Sequence, residues 1–327
     1  MSLAHKLLVT GGAGFIGHHL VKRLLLSQRN YKIIIIDNLS SGNKNFLDGN
    51  NNRSSSKKFS FYKEDIRNKK NILDIFNHER PIDTCIHLAA KINVHDSIIN
   101  PEDTIDVNVK GTLNILEACS NNGVKNFIFG SSAAVYGEPK KLPLSEDDHL
   151  LEPLSPYGAS KVAGEALVSS YRRSKKIKNA IALRFFNVYG EGQNIEYAGI
   201  ITRFAERLSR GLQPIIYGDG KQTRDFVSVN DVVTAILLAV TEADKIKTSS
   251  SVFNIGTGIP IGIDDLAQRM IRIFGIDLEP IYYGSKEGDI KDNYADTRKS
   301  KNILKFIAIE ELESGLKQIV QQSFLQK

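Results

Sequence analysis

Lys6-Leu7-Leu8-Val9-Thr10-Gly11-Gly12-Ala13-Gly14-Phe15-Ile16-Gly17 joins an apolar run to glycines three residues apart. Residues 6–10 read as a strand and residues 14–27 as a helix with Ile16, Leu20 and Leu24 on one face, so the glycines fill a strand-to-helix turn. Each has a physical task there. One makes the tight turn, one lets the backbone approach a pyrophosphate, and one allows close helix–strand packing. The helix N-terminus then offers free N–H groups and the positive end of its dipole to phosphates. A second apolar run, 32–37, ends in Asp37, twenty residues beyond Gly17, where a carboxylate can hold the ribose hydroxyls of an adenosine and repel a 2′-phosphate. Together these features predict a site for NAD rather than NADP.

Outward from this turn, short β-branched runs alternate with longer helix-like segments. Strands are predicted at 59–63, 84–89, 126–131 and 179–184, and helices at 102–121 and 157–174. Several of the strands are apolar throughout, as in a parallel sheet covered on both faces. The expected fold is α/β, a Rossmann-type doubly wound parallel sheet with a smaller mixed C-terminal substrate lobe. Residues 1–184 with about 229–256 would form the NAD-binding domain, and 185–228 with 257–327 the second lobe. Residues 38–58, rich in Asn, Ser, Gly and Lys, read as a long loop. Beyond 184 the alternation loosens: helices at 200–210 and 230–240, a turn at Gly218-Asp219-Gly220, and a further sheet strand at 252–255.

With 327 residues, 41% hydrophobic and 24% charged, the chain has the profile of a soluble protein with a sizeable core. Its apolar runs are too short to span a bilayer, and no cationic-then-apolar leader opens it. With two cysteines, Cys85 and Cys119, and no Cys-x-x-Cys, neither a disulfide framework nor a zinc site is expected, and no metal is expected. Cytoplasm is the expected compartment, in which Asn52-Arg53-Ser54 is a chance match to the glycosylation pattern. The net charge of +6 invites the question of nucleic acid. The densest basic cluster, Arg172, Arg173, Lys175, Lys176 and Lys178, falls instead at a helix end, where cations suit the dipole. Neither nucleic acid nor membrane is an expected partner.

Tyr157-Gly158-Ala159-Ser160-Lys161 places a phenol and an ammonium on one helix face. A lysine beside a phenol favours the phenolate, which can remove an alcohol proton. Among 11 tyrosines roughly one such spacing arises by chance, and Tyr171–Lys175 is a second instance. Position separates them. Tyr157 follows the Ser155-Pro156 turn at the strand ends where ligands bind, and Tyr171 lies almost four turns on. Ser131-Ser132-Ala133-Ala134-Val135-Tyr136-Gly137 directly follows the strand at 126–131, where a hydroxyl could reach a substrate oxygen or simply form a turn. Asp65, after the strand at 59–63, could face an adenine or cap the next helix.

In order along the chain, TGGAGFIG (10–17), IDNLSSG (36–42), DI (65–66), HLAA (87–90), SSAAVYG (131–137), YGASK (157–161), RFFNVYG (184–190) and GDGKQTRDFVSVNDV (218–232) resemble the extended short-chain dehydrogenase/reductases. Within them the chain looks like a nucleotide-sugar epimerase of the UDP-glucose (UDP-galactose) 4-epimerase type, from about residue 6 to about 296. The resemblance implies a Ser132–Tyr157–Lys161 triad and an NAD that stays bound and is regenerated in each cycle. It further implies that Gly11, Gly14 and Gly17 form the cofactor turn, with Phe15 and Ile16 meeting the phosphates through backbone N–H groups. Asp37, Asn38 and Ser41 would hold the ribose; Asp65 and Ile66 would flank the adenine. Leu88, Ala89 and Ala90 would line the cofactor, supported by Asn108. Ser132 and Tyr157 would meet the sugar, Asn187 would bind the sugar nucleotide, and Arg224 and Asp289 its nucleotide and phosphate part. Family members are usually homodimers through helices like 102–121 and 157–174. The apolar positions Ile105, Val109, Leu113 and Leu116 on one face, and Val107 and Ile115 on another, suit burial on two sides, which a single-chain core would also explain.

Dehydratases resembling this family carry two acids after the serine motif, and decarboxylases commonly one. Here Ala133 and Ala134 stand there, so elimination lacks its proton donor and epimerisation is favoured. A non-catalytic NAD-binding protein on the same fold is the other alternative, against which the Ser–Tyr–Lys set argues. Two positions depart from the pattern. Lys286 replaces an arginine against the diphosphate, keeping the charge but losing the bidentate fork. Asn293 replaces the tyrosine, cysteine or serine that gates N-acetyl substrates, leaving room for an acetamido group that it can hydrogen-bond. UDP-N-acetylglucosamine therefore stands beside UDP-glucose as a candidate substrate, and the sequence leaves the choice between them open.

Overall fold

Every strand of the first half carries apolar side chains on both faces, which forces a sheet with two covered sides. The computed structural model describes residues 5–43, 59–147, 151–194, 199–246, 251–285 and 290–325. Among these, β1 (His5–Thr10), β2 (Tyr31–Asp37), β3 (Phe59–Lys63), β4 (Thr84–His87), β5 (Asn126–Ser132), β6 (Asn179–Phe185) and, from the later chain, β10 (Val252–Ile255) form one seven-stranded sheet. All its pairings are parallel, in the order β10-β6-β5-β4-β1-β2-β3. The doubly wound arrangement read from the sequence is the one observed.

The two-residue alternation sorts side chains between two cores. Leu7, Val9, Ile33 and Ile35 pack on one face with the helices α1 (Phe15–Leu25) and α8 (Val229–Glu242). Leu8, Ile34, Ile36 and Phe127 pack on the other with α2 (Lys69–His78), α5 (Thr112–Asn121) and α6 (Pro156–Arg173). Each such side chain contributes roughly 1.5–3 kcal/mol by leaving water. Strand order reverses between β1 and β4, so a crevice opens at the carboxyl ends of these neighbours.

The helix expected over 102–121 is interrupted. The chain runs through α3 (Val94–Ile99) and α4 (Pro101–Ile105), makes a π turn at Asp106–Gly111, and continues as α5. That turn directs the Asn108 side chain inward and presses Gly111 against Ile66, whose Cδ1 would lie 2.6 Å from a Cβ there. Ile105 is exposed and Val109 and Leu113 are half-buried, whereas Val107, Ile115 and Leu116 are buried.

After β6 the chain builds a third core. A mixed sheet joins β7 (Asn187–Tyr189), β9 (Thr223–Ser228), β11 (Pro260–Gly262) and β13 (Asp292–Asn293), and β8 (Ile215–Tyr217) pairs with β12 (Ile281–Tyr283). The helices α7 (Ile200–Ser209), α9 (Ile263–Phe274) and α10 (Leu312–Leu325) cover them around Phe204, Leu208, Met270 and Leu316. Gly275, in the left-handed conformation at φ 67°, ends α9. No helix among the described residues is long and apolar enough to cross a membrane.

Candidate functional site

The glycine turn sits at the sheet crevice. Gly11, at φ 71°, donates to the Ile36 carbonyl (2.8 Å), and a Cβ on it would lie 2.7 Å from the Ala89 nitrogen. A Cβ on Gly17 would come within 2.0 Å of the Gly11 oxygen, so only glycine lets α1 approach β1 this closely. No side chain caps α1 at Gly14, and its first turn holds no acid. The amides of Phe15 and Ile16 have no helical acceptor one turn back and are suited to phosphate oxygens. These features fit the pyrophosphate of a dinucleotide.

Asp37 closes the turn from the β2 side. Its Oδ2 accepts from Ala13 N–H (2.9 Å) and its Oδ1 from Leu39 N–H (2.8 Å), leaving lone pairs on both oxygens for ribose hydroxyls. The following turn folds back, Asn43 N–H donating to the Ala13 carbonyl (3.1 Å), so Asn38 and Ser41 lie at the crevice rim. Asn38 Nδ2 donates to Asp65 Oδ2 (3.0 Å), joining the ends of β2 and β3. Asp65 also pairs with Arg67 (2.8 Å), and that hydrogen bond holds its carboxyl down to about 2. Asp65 does not cap α2; Asn68 does. Residues 44–58 of the expected loop, Lys286 and Asp289 lie outside the described residues.

Leu88, Ala89 and Ala90 leave β4 half-buried along the opposite wall. Asn108 holds this segment: it donates through Nδ2 to the Lys91 carbonyl (2.9 Å) and Ser160 Oγ (2.9 Å), and accepts from Lys91 N–H (2.8 Å). Below them His87 is fully enclosed. Its Nδ1 meets Thr10 Oγ1 (2.6 Å) and its Nε2 meets Thr112 Oγ1 (2.9 Å), and Thr112 donates onward to the Asn108 carbonyl (2.6 Å). That last bond assigns the ring proton to Nε2 and leaves Nδ1 to accept from Thr10. Burial pushes His87 down to about 3.

Ser132 ends β5, and its Oγ accepts from Ala134 N–H (3.1 Å), capping the short turn Ala133–Val135. Gly158 lets α6 press on that turn, since a Cβ on it would lie 2.6 Å from the Ala134 carbonyl. Ser155 caps α6 and Pro156 opens it. Tyr157, on the first turn of α6, is thereby brought into hydrogen-bond contact with Ser132. Lys161, buried one turn on, donates to the Gly130 carbonyl (2.7 Å), with its Nζ 5.9 Å from the Tyr157 ring centre. Burial lowers Lys161 to about 8, opposed by Glu165. The same burial raises the Tyr157 phenol, with Ser132 pulling it down. This corrects the expectation that the lysine draws the phenol toward neutrality: burial outweighs it, with Lys161 giving one N–H to the Gly130 carbonyl. Tyr171, by contrast, packs in the second core about 21 Å along the helix. Arg172 and Arg173 lie in its last turn.

On the other wall Asn187 Nδ2 donates to the Asp225 carbonyl (3.1 Å). Arg224 stands beside Asn293 across the β9–β13 pairing, its Nη1 donating to the Thr223 carbonyl (2.8 Å). Asn293 is 7% exposed, and its buried Oδ1 has no hydrogen-bond partner among the described residues. Ala133, Phe186 and Ala295 share one apolar cluster, which brings the serine turn against the segment following Asn293.

Several residues of the site went unread in the sequence: His87, Glu165, Arg184 and Asp225. Asp225 is fully buried and accepts from Thr257 N–H (2.8 Å), Thr257 Oγ1 (2.6 Å), Gly258 N–H (2.8 Å) and Ala295 N–H (3.1 Å), so it ties β9 to the Asn293 segment. The available signal was a charged residue inside an apolar strand, as in Ala-Leu-Arg184-Phe-Phe and Arg-Asp225-Phe-Val. No cluster able to hold a metal ion occurs among the described residues.

Residues 7–256 match the family described as "NAD dependent epimerase/dehydratase family". A UDP-glucose 4-epimerase of Mycolicibacterium smegmatis is 35% identical over 316 residues, covering 96% of this chain and 97% of that protein. The solved UDP-glucose 4-epimerase of Thermotoga maritima, with UDP-glucose, superposes with a TM-score of 0.89 at 37% identity, over 98% of this chain and 99% of that one. The UDP-N-acetylglucosamine 4-epimerase of Methanobrevibacter ruminantium, in complex with UDP-N-acetylmuramic acid, does so at 0.88 and 33%, over 99% of each. A glycine turn built for a dinucleotide, a serine–tyrosine–lysine cluster at the sheet crevice and this likeness along nearly the whole chain agree: the protein is an NAD-dependent enzyme belonging to the NAD dependent epimerase/dehydratase family.

Proposed function

We propose that this enzyme inverts C4 of a UDP-hexose, plain or N-acetylated, through a transient 4-keto sugar. One observation carries the reading: Ser132, Tyr157 and Lys161 converge, and the turn joining them holds Ala133 and Ala134 where an elimination would need acids. The part formed by 1–184 with about 229–256 holds NAD, and that formed by 185–228 with 257–327 holds the nucleotide sugar, Asn187, Arg224, Lys286, Asp289 and Asn293 contributing to it. NAD, when bound, takes up and returns the hydride of the C4′ carbon. Gly11, Gly14, Gly17 and the Phe15 and Ile16 amides hold its phosphates; Asp37, Asn38 and Ser41 its ribose; Asp65, Ile66 and Leu88–Ala90 its adenine side and flank.

Tyr157, acting as the phenolate once its own proton has left to solvent, takes the proton of the 4′-hydroxyl as the C4′–H bond breaks and the carbonyl forms. Ser132, which touches the phenol, turns its hydroxyl proton to the 4′-oxygen when the sugar is bound. Lys161, an ammonium below about pH 8, keeps positive charge beside that phenol. After the ketose turns over, Tyr157 returns the proton as hydride arrives on the other face. Asn293 Oδ1, without a partner among the described residues, supplies an acceptor that an acetamido N–H can satisfy, which supports admission of N-acetylated sugars.

The chain also has a face suited to a second copy of itself. Ile98, Ile99 and Ile105 are exposed on consecutive helical segments, beside exposed Ala159 and Ala166 of α6, and a homodimer would cover them. Sedimentation should give a dimer mass that Ile105→Glu reduces to a monomer. The function itself is tested by incubating the protein, without added NAD, with UDP-glucose, UDP-galactose and their N-acetyl forms, and following products by NMR. Either epimer should relax to one equilibrium mixture. A 4-keto-6-deoxy or decarboxylated product, or no conversion of any of the four, would refute the assignment.

A further inference from the structure

One turn beyond Lys161, Glu165 points beneath the site with only 7% of its surface exposed. Its Oε1 accepts from Ser131 Oγ (2.6 Å) and Arg184 Nε (2.9 Å), and its Oε2 accepts from Arg184 Nη2 (2.8 Å). Arg184 stands opposite Ser131 in the β5–β6 register and is 3% exposed. Its guanidinium lies 4.6 Å from the centre of the Tyr136 ring. Tyr136 donates to Asn254 Oδ1 (2.6 Å), and Asn254 Nδ2 donates to the carbonyls of Leu144 (2.8 Å) and Asp296 (3.3 Å). Leu144 N–H donates in turn to the Tyr294 carbonyl (2.9 Å), beside Asn293. A continuous polar chain thus runs from the residue before Ser132, through the helix of Tyr157 and Lys161, to the segment carrying Asn293.

An ion pair this deep is poorly suited to stability alone, because apolar residues of the same volume pack there without the cost of removing two charges from water. It fixes directions that apolar contacts leave free. We propose that Glu165 and Arg184 are the positioning residues of this enzyme: they lock the Ser132 strand end to the Tyr157–Lys161 helix, and they keep a carboxylate one turn from the Lys161 ammonium. The inference rests on the reading of Tyr157 and Lys161 as the reacting pair. The groups that face Lys161 are the Gly130 carbonyl and Phe129 ring from β5, His87 from β4, and Tyr157 and Glu165 from its own helix. His87 is neutral, so Glu165 supplies the negative charge that lets a buried ammonium persist.

The test is a 13C NMR titration of the purified protein with its NAD, labelled at lysine Cε, the Lys161 signal being assigned by its loss in Lys161→Met. The variant is Glu165→Gln with Arg184→Met, which removes both charges together and leaves neither stranded. Its Lys161 midpoint should fall by one pH unit or more, a tenfold loss of proton affinity. Its kcat should drop at least tenfold while KM for the sugar nucleotide changes less than threefold. Should the double variant not fold, Glu165→Asp serves, since it keeps Arg184 paired and draws the carboxylate back by one methylene; its midpoint should fall by less, though measurably. A midpoint and kcat equal to wild type in whichever variant folds would overturn the proposal. The titration needs no turnover, so a wild type that converts no sugar refutes the epimerase reading while the Lys161 midpoint still decides this one.

Discussion

Acid should loosen this protein at His87, and the geometry sets by how much. The ring is fully enclosed between Thr10 and Thr112, and both bonds require the neutral form: Nδ1 accepts and Nε2 donates. Protonation would put a second donor against the Thr10 hydroxyl, which also receives the Ala89 amide (3.3 Å). A histidine lowered from 6.5 to about 3 stays neutral when folded but takes up a proton when unfolded. Its stabilisation is therefore complete above about pH 6.5 and is lost as pH falls toward 3, roughly 5 kcal/mol in all at about 1.4 kcal/mol per pH unit. About 2 kcal/mol of this is gone by pH 5. His87→Asn keeps an acceptor toward Thr10 and leaves the Thr112 hydroxyl bonded to Asn108, while removing the titration. Urea midpoints at pH 7 and pH 5, at one saturating NAD concentration, should show wild type losing about 2 kcal/mol more than the variant over that interval. His18, lowered to about 4 chiefly by burial, titrates in both proteins and cancels from the comparison. Equal losses in the two proteins would refute the reasoning.

Tyr157→Phe should cut turnover by roughly 10²–10⁴-fold, the usual contribution of a positioned acid–base group, while the purified protein keeps its NAD; both are read from product NMR and the cofactor content after denaturation. Gly17→Ala forces a methyl to 2.0 Å from the Gly11 oxygen, so the turn must shift, and NAD retention measured by the same release assay should fall about 10- to 100-fold, the equivalent of roughly 1–3 kcal/mol of overpacking. Asn293→Tyr puts a bulkier side chain beside Arg224 and removes an amide oxygen that has no partner among the described residues, so kcat/KM for N-acetylated sugars should fall at least tenfold relative to the plain ones. An unchanged ratio would separate Asn293 from sugar choice.

The first half of the fold was readable because its information is local. Residues 6–10, 32–37, 126–131 and 179–184 carry continuous apolar runs, and each became a sheet strand to within a residue at either end. The strand at 252–255 was equally plain, although it joins the sheet beside β6 from far along the chain. The second half resisted because β7, β8, β11, β12 and β13 are two or three residues long, and such short strands exist only through partners remote in sequence. The π turn at Asp106–Gly111 was hidden for a related reason: helical periodicity persists through it, and only the inward pull of Asn108 toward Lys91 and Ser160 reveals it. In the site, the spacing of Tyr157 and Lys161 placed both on one face. Spacing carries no burial, however, and burial is what raises the phenol and lowers the amine.

The two alanines after Ser132 mean more in the structure than in the sequence. Alone, Ala133-Ala134 records only that acids are missing. Folded, Ala133 is 6% exposed among Val135, Tyr136, Leu144, Phe186 and Ala295, and the Ala134 carbonyl is pressed on Gly158 where α6 begins. A carboxylate at 133 would enter an apolar cluster and meet a desolvation penalty of several kcal/mol without a paired cation. The turn is therefore packed for small apolar side chains. That packing brings Ser132 onto Tyr157 and joins the serine turn to the Asn293 segment through Ala295. Because a carboxylate at 133 would disturb the packing that seats Ser132 on Tyr157, the serine turn supports the proposed reading of hydride removal and return at one carbon over the alternative of dehydration.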